Sequence, residues 1–306
     1  VRNNPSGISE EWAHARKVLK TMEGMFDRIE WILGNHECLD EDTEVFCNEK
    51  WVKYSEIKIG DTVLSLRDGI PMWETVRELH IYDHFGEMYH TTSKMIDMII
   101  TPNHRIFHRL GEKGKMKYAT AESMFVDTTT RPYIPCSGYI GLDDFDQVTD
   151  NEIKVSAWLL TDSSYSKRGP QIAFYQREGK YRRITDILDS MEMKYGVYKR
   201  NRNITEICGI KLISEPEIEC TVGVSAKDSR VLRSIVPDKN SLPLWIWELS
   251  SRQFNLFLDE YIYTDGSIHK NSPSSRMIYC SRKHLAGQLQ ALCSLHGVRA
   301  SISTYN

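Results

Sequence analysis

Two stretches of this chain, 103 residues apart, repeat one pattern, and that duplication constrains the fold more than any other feature. Val155-Ser156-Ala157-Trp158-Leu159-Leu160-Thr161-Asp162-Ser163 and Leu258-Asp259-Glu260-Tyr261-Ile262-Tyr263-Thr264-Asp265-Gly266 are apolar helical stretches that end in Thr-Asp. A strand-like segment, a helical segment and a Gly-Val pair follow each; Asp162 to Gly196 spans 34 residues and Asp265 to Gly297 spans 32. A duplicated unit of this kind predicts a pseudo-dimer packed about the two acid-tipped helices.

The 306 residues leave room for about two or three domains. The net charge of −3 conceals an asymmetry. Residues 151–306 hold 22 Lys and Arg against 16 Asp and Glu, a net +6, so the first 150 residues carry −9. A basic half beside an acidic one suggests that only the second meets a polyanion. The longest apolar candidate, Met95 to Ile100, is short and contains Asp97, so no membrane span is expected. Seven cysteines without a Cys-x-x-Cys pair argue against disulfides or zinc and for a reducing compartment, taken here as cytoplasmic.

The duplicated Thr-Asp ends resemble LAGLIDADG homing endonucleases, a family commonly inserted within inteins. For residues 149–306 the resemblance implies an α+β pseudo-dimer, a monomer with an internal two-fold, whose partner is double-stranded DNA from the intein-less host gene. Asp162 and Asp265 would hold divalent cations, Mg²⁺ being expected, at the scissile phosphates. Lys239-x-x-Leu242-Pro243, 26 residues before Asp265, is similar to the Lys block preceding the second motif of intein endonucleases, which makes Lys239 a transition-state or water-positioning cation. Gln176 matches a position that contacts the attacking water. Lys180, Arg182, Arg183, Lys199, Arg200 and Arg202 are candidate phosphate contacts. Two departures stand out: Ser163 where the family carries Gly, and Glu260 where a small residue lets the helices pack closely. A carboxylate at such a seam is costly unless paired or splayed outward.

Residues 38–148 read as β-rich, with short strand patterns at 43–46, 51–52, 62–66 and 98–100 separated by turn signals. Cys38-Leu39-x-x-Asp42-Thr43-x-Val45, then Ile59-Gly60-Asp61-x-Val63-Leu64, then Thr101-x-x-His104 together resemble the N-terminal part of a Hedgehog/intein splicing domain, an all-β fold. The chemistry suits the residue types. A Cys38 thiol can attack the Glu37 carbonyl and turn an amide into a thioester. By the resemblance, His104 protonates the departing amide nitrogen and Thr101 hydrogen-bonds the same amide. Cys47 lies inside a strand pattern and reads as a small core residue.

Residues 1–37 predict a helix from Ser9, a strand from Arg28 to Leu33, and a Gly34-Asn35-His36-Glu37 loop. These resemble the calcineurin-like metallophosphoesterases, in which Asn35 would be a metal ligand once splicing restores the host and His36 would assist phosphoryl transfer. The partner motifs are absent, so no complete metal site is expected here. The chain opens on Val1 and ends Thr304-Tyr305-Asn306, without the penultimate His of a finished intein. The expectation is therefore a fragment truncated at its C-terminus, able to attempt the first acyl shift but not to complete splicing. Two alternatives are a LAGLIDADG module that binds DNA without cutting it, and a metallophosphoesterase fragment.

Overall fold

The computed structural model describes residues 38–304, apart from 68–69, 94–95, 127–131, 203–204, 208–209 and 213–216. The helix and strand expected before residue 34, and the loop with Asn35 and His36, lie outside the described residues.

Short antiparallel strands dominate residues 38–133. Strands β1 (Glu44–Cys47) and β2 (Lys50–Lys53) are joined by Asn48-Glu49, both with positive φ (46° and 65°). That turn matches the right-handed twist of the strands it joins. Asn48 is held further, because its Nδ2 donates to Asp61 Oδ1 at 2.8 Å and its Oδ1 accepts from Thr62 N–H at 2.9 Å. Strand β3 (Thr62–Arg67) pairs with β1 and with β4 (Ile70–Thr75), giving the order β2-β1-β3-β4. Beyond it lie the pair β5 (Tyr89–Thr92) and β6 (Asp97–Ile100), then a three-stranded sheet, β8-β7-β9, from β7 (Arg105–Leu110), β8 (Lys117–Thr120) and β9 (Pro132–Tyr133). One short helix, α1 (Ala121–Val126), stands among these strands. Ile100, Ile106 and Ala121 form a small core of their own. Cys47 is buried at 2% exposure.

The duplicated region begins with α2 (Asp150–Leu160) and returns with α5 (Ser251–Asp265), and the two helices lie against each other. Both start with a capping box, Thr149 with Glu152 and Ser250 with Gln253, which satisfies two otherwise unpaired N–H groups at each end. After α2 come β10 (Ser163–Tyr165), β11 (Ile172–Arg177) and α3 (Tyr181–Ser190). After α5 come β16 (Gly266–His269), β17 (Ser272–Ile278) and α6 (Lys283–Leu295). Each unit is thus helix, hairpin, helix, where the sequence predicts one strand between the helices. The first unit adds β12 (Tyr195–Arg202), a hairpin of β13 (Thr205–Ile207) and β14 (Ile210–Leu212), β15 (Glu217–Val224) and α4 (Ala226–Ile235). Its four-stranded antiparallel sheet runs β10-β11-β15-β12.

Glu260 sits in the seam between α2 and α5, 4% exposed, and it is paired. Trp158 Nε1 donates to it at 3.1 Å, and Arg183 meets it through Nε and Nη2 at 2.8–3.1 Å. The cost of burying a carboxylate is offset only by such a fork. Ser163 is accommodated too, its hydroxyl donating to Leu159 O at 2.6 Å. The matching position in the second unit tolerates no side chain: a Cβ on Gly266 would lie 2.6 Å from Met277 O and 2.7 Å from Ile262 Cα.

The first sheet is fastened to the duplicated region by aromatic rings. Phe46 lies 5.2 Å from Trp51, 5.9 Å from Trp73 and 5.5 Å from Trp247 between ring centroids, and it belongs to the main core. Trp51 Nε1 donates to Gly287 O at 3.3 Å. The connecting segment is tied down as well, since Gly138 N–H donates to Ser294 O at 2.8 Å and Phe145 N–H to Gln253 Oε1 at 2.8 Å. Among the described residues no helix is long and apolar enough to cross a membrane.

Candidate functional sites

Cys38 lies beside Thr101, the residue that follows β6 and precedes Pro102. The Cys38 N–H donates to Thr101 Oγ1 at 3.0 Å, and Thr101 N–H returns a bond to Cys38 O at 3.1 Å. Leu39 bridges Ile100, and Asp40 N–H donates to Ile99 O at 3.0 Å, so the first three described residues run antiparallel to β6. Thr101 is 1% exposed, which fixes its hydroxyl against the Cys38 amide. His104 is half-buried and closes the turn, its N–H donating to Thr101 O at 3.0 Å. The structure therefore brings Cys38, Thr101 and the His104 turn together across 63 residues of chain. Glu37, on the other side of the bond, lies outside the described residues.

The second site lies where α2 and α5 end. Thr161 Oγ1 donates to Ala157 O at 2.8 Å, and Thr264 Oγ1 donates to Tyr261 O at 2.9 Å. Each hydroxyl satisfies a carbonyl at its helix end, and the following aspartate leads out into a shared cleft of about 770 Å³. Asp162, Gln176, Lys180, Thr264 and Asp265 line that cleft, with Tyr175 and Glu219 at its wall. Burial, reinforced by Asp265, pushes the Asp162 carboxyl up to about 6, while Lys180, Gln176 and Lys239 pull the other way. Burial also raises Asp265, opposed by Arg282, Lys239 and Lys180. Gln176 Nε2 donates to Asp162 Oδ2.

Lys239 caps the first helix, donating to Thr161 O at 3.3 Å and to Ser163 O, and burial beside Arg282 lowers its basicity. Arg282, which the sequence did not single out, donates to Leu160 O at 2.5 Å and to Lys239 O. Its signal was its place just before the second helix of the second unit, matching Lys180 in the first.

The six basic candidates divide. Lys180 is in the acid cleft, with its Nζ on Tyr263 O at 3.0 Å. Arg183 is engaged by Glu260 and stacks on Tyr263 at 4.2 Å. Lys199 pairs with Glu178 at 2.7 Å, a surface contact of the kind that contributes little to stability. Arg182 and Arg200 are exposed, on α3 and β12. Arg202 has its backbone in β12, and its side chain lies outside the described residues.

No group of three or more His, Cys, Asp or Glu gathers to hold a metal among the described residues. Two half-buried carboxylates with raised affinity for protons nevertheless form a hard-oxygen donor pair. Mg²⁺ keeps most of its waters and needs only one or two carboxylates plus substrate phosphates, so the donor set fits that ion.

No family model matches the chain. It is 30% identical over 73 residues to the ATP-dependent Clp protease proteolytic subunit of Chlamydomonas moewusii, covering 23% of this chain and 7% of that protein. It is 29% identical over 76 residues to the DNA-directed RNA polymerase subunit beta C-terminal section of Stigeoclonium helveticum, covering 24% of this chain and 7% of that protein. The chain thus matches only a small part of the length of either relative.

Proposed function

We propose that this chain is part of an intein-bearing precursor in which residues from Cys38 onward belong to a splicing domain carrying a LAGLIDADG endonuclease. The observation that carries it is the bond from the Cys38 N–H to Thr101 Oγ1, because that nitrogen is the one that must leave when Glu37–Cys38 breaks. The partial relatives support it. Two proteins named for unrelated activities each share about 7% of their length with this chain, as expected of an inserted element rather than a domain of either host activity.

In the first step the Cys38 sulfur bonds to the Glu37 carbonyl carbon, the carbon–nitrogen bond breaks, and the nitrogen takes a proton to become a free amine. Thr101 fixes the amide, and the turn it opens supplies His104 as the proton source. In the second site Asp162 and Asp265 would hold Mg²⁺, which supplies charge stabilisation at a scissile phosphate. Gln176 orients Asp162, and Lys180 adds positive charge where phosphate charge builds up.

Incubation with a small thiol should release residues 1–37, and Cys38→Ala should abolish that release. Continued cleavage in Cys38→Ala would sink the splicing assignment. DNA carrying the uninterrupted host sequence should be cut in the presence of Mg²⁺; binding without cutting by the wild-type chain would leave a DNA-binding module instead.

A further inference from the structure

The two units can be matched bond by bond. Tyr175 N–H donates to Asp162 O at 3.0 Å and Tyr279 N–H to Asp265 O at 2.8 Å, so Tyr175 pairs with Tyr279 and Gln176 with Cys280. Each unit then places a cation at the start of its second helix, Lys180 before α3 and Arg282 before α6. These cations cross the two-fold in opposite directions. Lys180 reaches Tyr263 O and Arg282 reaches Leu160 O, and each of those carbonyls stands two residues before its own aspartate.

The backbone symmetry is kept, but the side-chain chemistry is not. Gln176 and Lys180 both line the acid cleft, and Gln176 is bonded to Asp162. Cys280 instead aims its thiol at Arg282 O, 3.5 Å away, and lines a different groove with Ile262 and Leu289. Arg282 is engaged by two backbone carbonyls. To the cleft the second unit contributes only Thr264 and Asp265 among the described residues. A carboxamide offers donors and acceptors together, so it can orient a carboxylate and a water at once. A thiol is weak in both roles.

We infer that the two half-sites are unequal, and that the half built on Asp162 with Gln176 and Lys180 cuts its DNA strand first, leaving a nicked duplex for the half that carries Cys280. The inference rests on the nuclease proposed above. In each half a water oxygen bonds to phosphorus, one ester oxygen departs, and the proton lost by the water ends on that oxygen. Gln176 is a positioning residue acting through Asp162. Loss of such a partner costs on the order of 10- to 100-fold.

The test uses the full chain, Mg²⁺ and a supercoiled plasmid carrying the uninterrupted host sequence, together with duplexes labelled on one strand at a time. Nicked circles should accumulate, with one strand cut about tenfold or more faster than the other. Gln176→Cys should slow the fast strand on the order of 10- to 100-fold and leave the slow strand unchanged, a selectivity that general structural damage would not produce. Cys280→Gln should speed the slow strand and remove the nicked intermediate. Equal strand rates in the wild type, or an equal slowing of both strands by Gln176→Cys, overturns the inference while leaving the nuclease in place. No cutting of either strand by the wild type overturns the nuclease itself.

Discussion

The two candidate sites are built in opposite ways. Cys38 is positioned by a few backbone bonds along the end of one strand, beside a core of three buried residues. Asp162 and Asp265 are positioned by two helices whose inner faces, with Trp158, Phe257 and Tyr261 fully buried, lie inside the main core. The first site needs a short stretch of chain to hold its local path. The second needs a whole packed interface to stay in register. The sheet of β1 to β4 complicates that division, because Phe46 ties it to the helical core and not to the cluster under Cys38. The change in sequence character near residue 148 is therefore not where the packing divides.

If the sites are separate, the largest effects should not cross between them. Asp162→Asn should abolish or cut DNA cleavage on the order of 100- to 1,000-fold, yet thiol-induced release of residues 1–37 should proceed at the wild-type rate. A parallel loss of both activities would show one site and not two. Trp247→Ala probes the shared aromatic contact and should cost about 3–5 kcal/mol in denaturant unfolding. Hydrogen exchange should then rise in β1 to β4 before it rises in β5 to β9; uniform exposure would dissolve the division drawn here. Arg183→Ala leaves the buried Glu260 with Trp158 as its remaining partner and should cost about 3 kcal/mol, whereas Arg182→Ala on the exposed face should cost almost nothing.

The smallest effect concerns protons. Burial raises Asp162 to about 6, above its value in an unfolded chain, so its protonated form favours the fold and that advantage disappears as the pH rises through about 6. Asp162→Asn should therefore raise the melting temperature by about 2–4 °C at pH 8 and change it little at pH 4. DNA cutting by the wild type should fall as the pH drops through about 6, since a protonated carboxyl no longer attracts a cation. A flat pH profile would mean that Asp162 is not what limits the reaction.

The duplication was legible in the sequence because Thr-Asp recurs at matched distance, and both motif stretches are helices that end there. The antiparallel strands of the first 100 or so described residues were legible from their turn signals. The contacts that cross between units were not. Nothing in the order of residues says that Arg183 would fork onto Glu260 across 77 positions, or that Lys180 would face the acids instead of open solvent. A basic residue on an amphipathic helix looks the same in sequence whether it meets water, phosphate or a buried carboxylate. Arg282 carries no sequence signal of its own for a related reason: its role comes from a symmetry of position, and its counterpart is a lysine.

Gly287 carries one more consequence. It sits inside α6, where glycine costs about 1 kcal/mol relative to alanine. A Cβ there would stand 2.8 Å from Trp51 Cδ1, so the helix gives up propensity to let an indole from the first sheet lie on its backbone. Helix α6 is therefore fitted to a neighbour it meets 236 residues away. A unit that packed only against itself would have no use for that notch. The notch means that residues 149–306 and the first sheet are shaped to each other, so transplanting residues 149–306 alone would carry along an exposed hollow and a weakened helix.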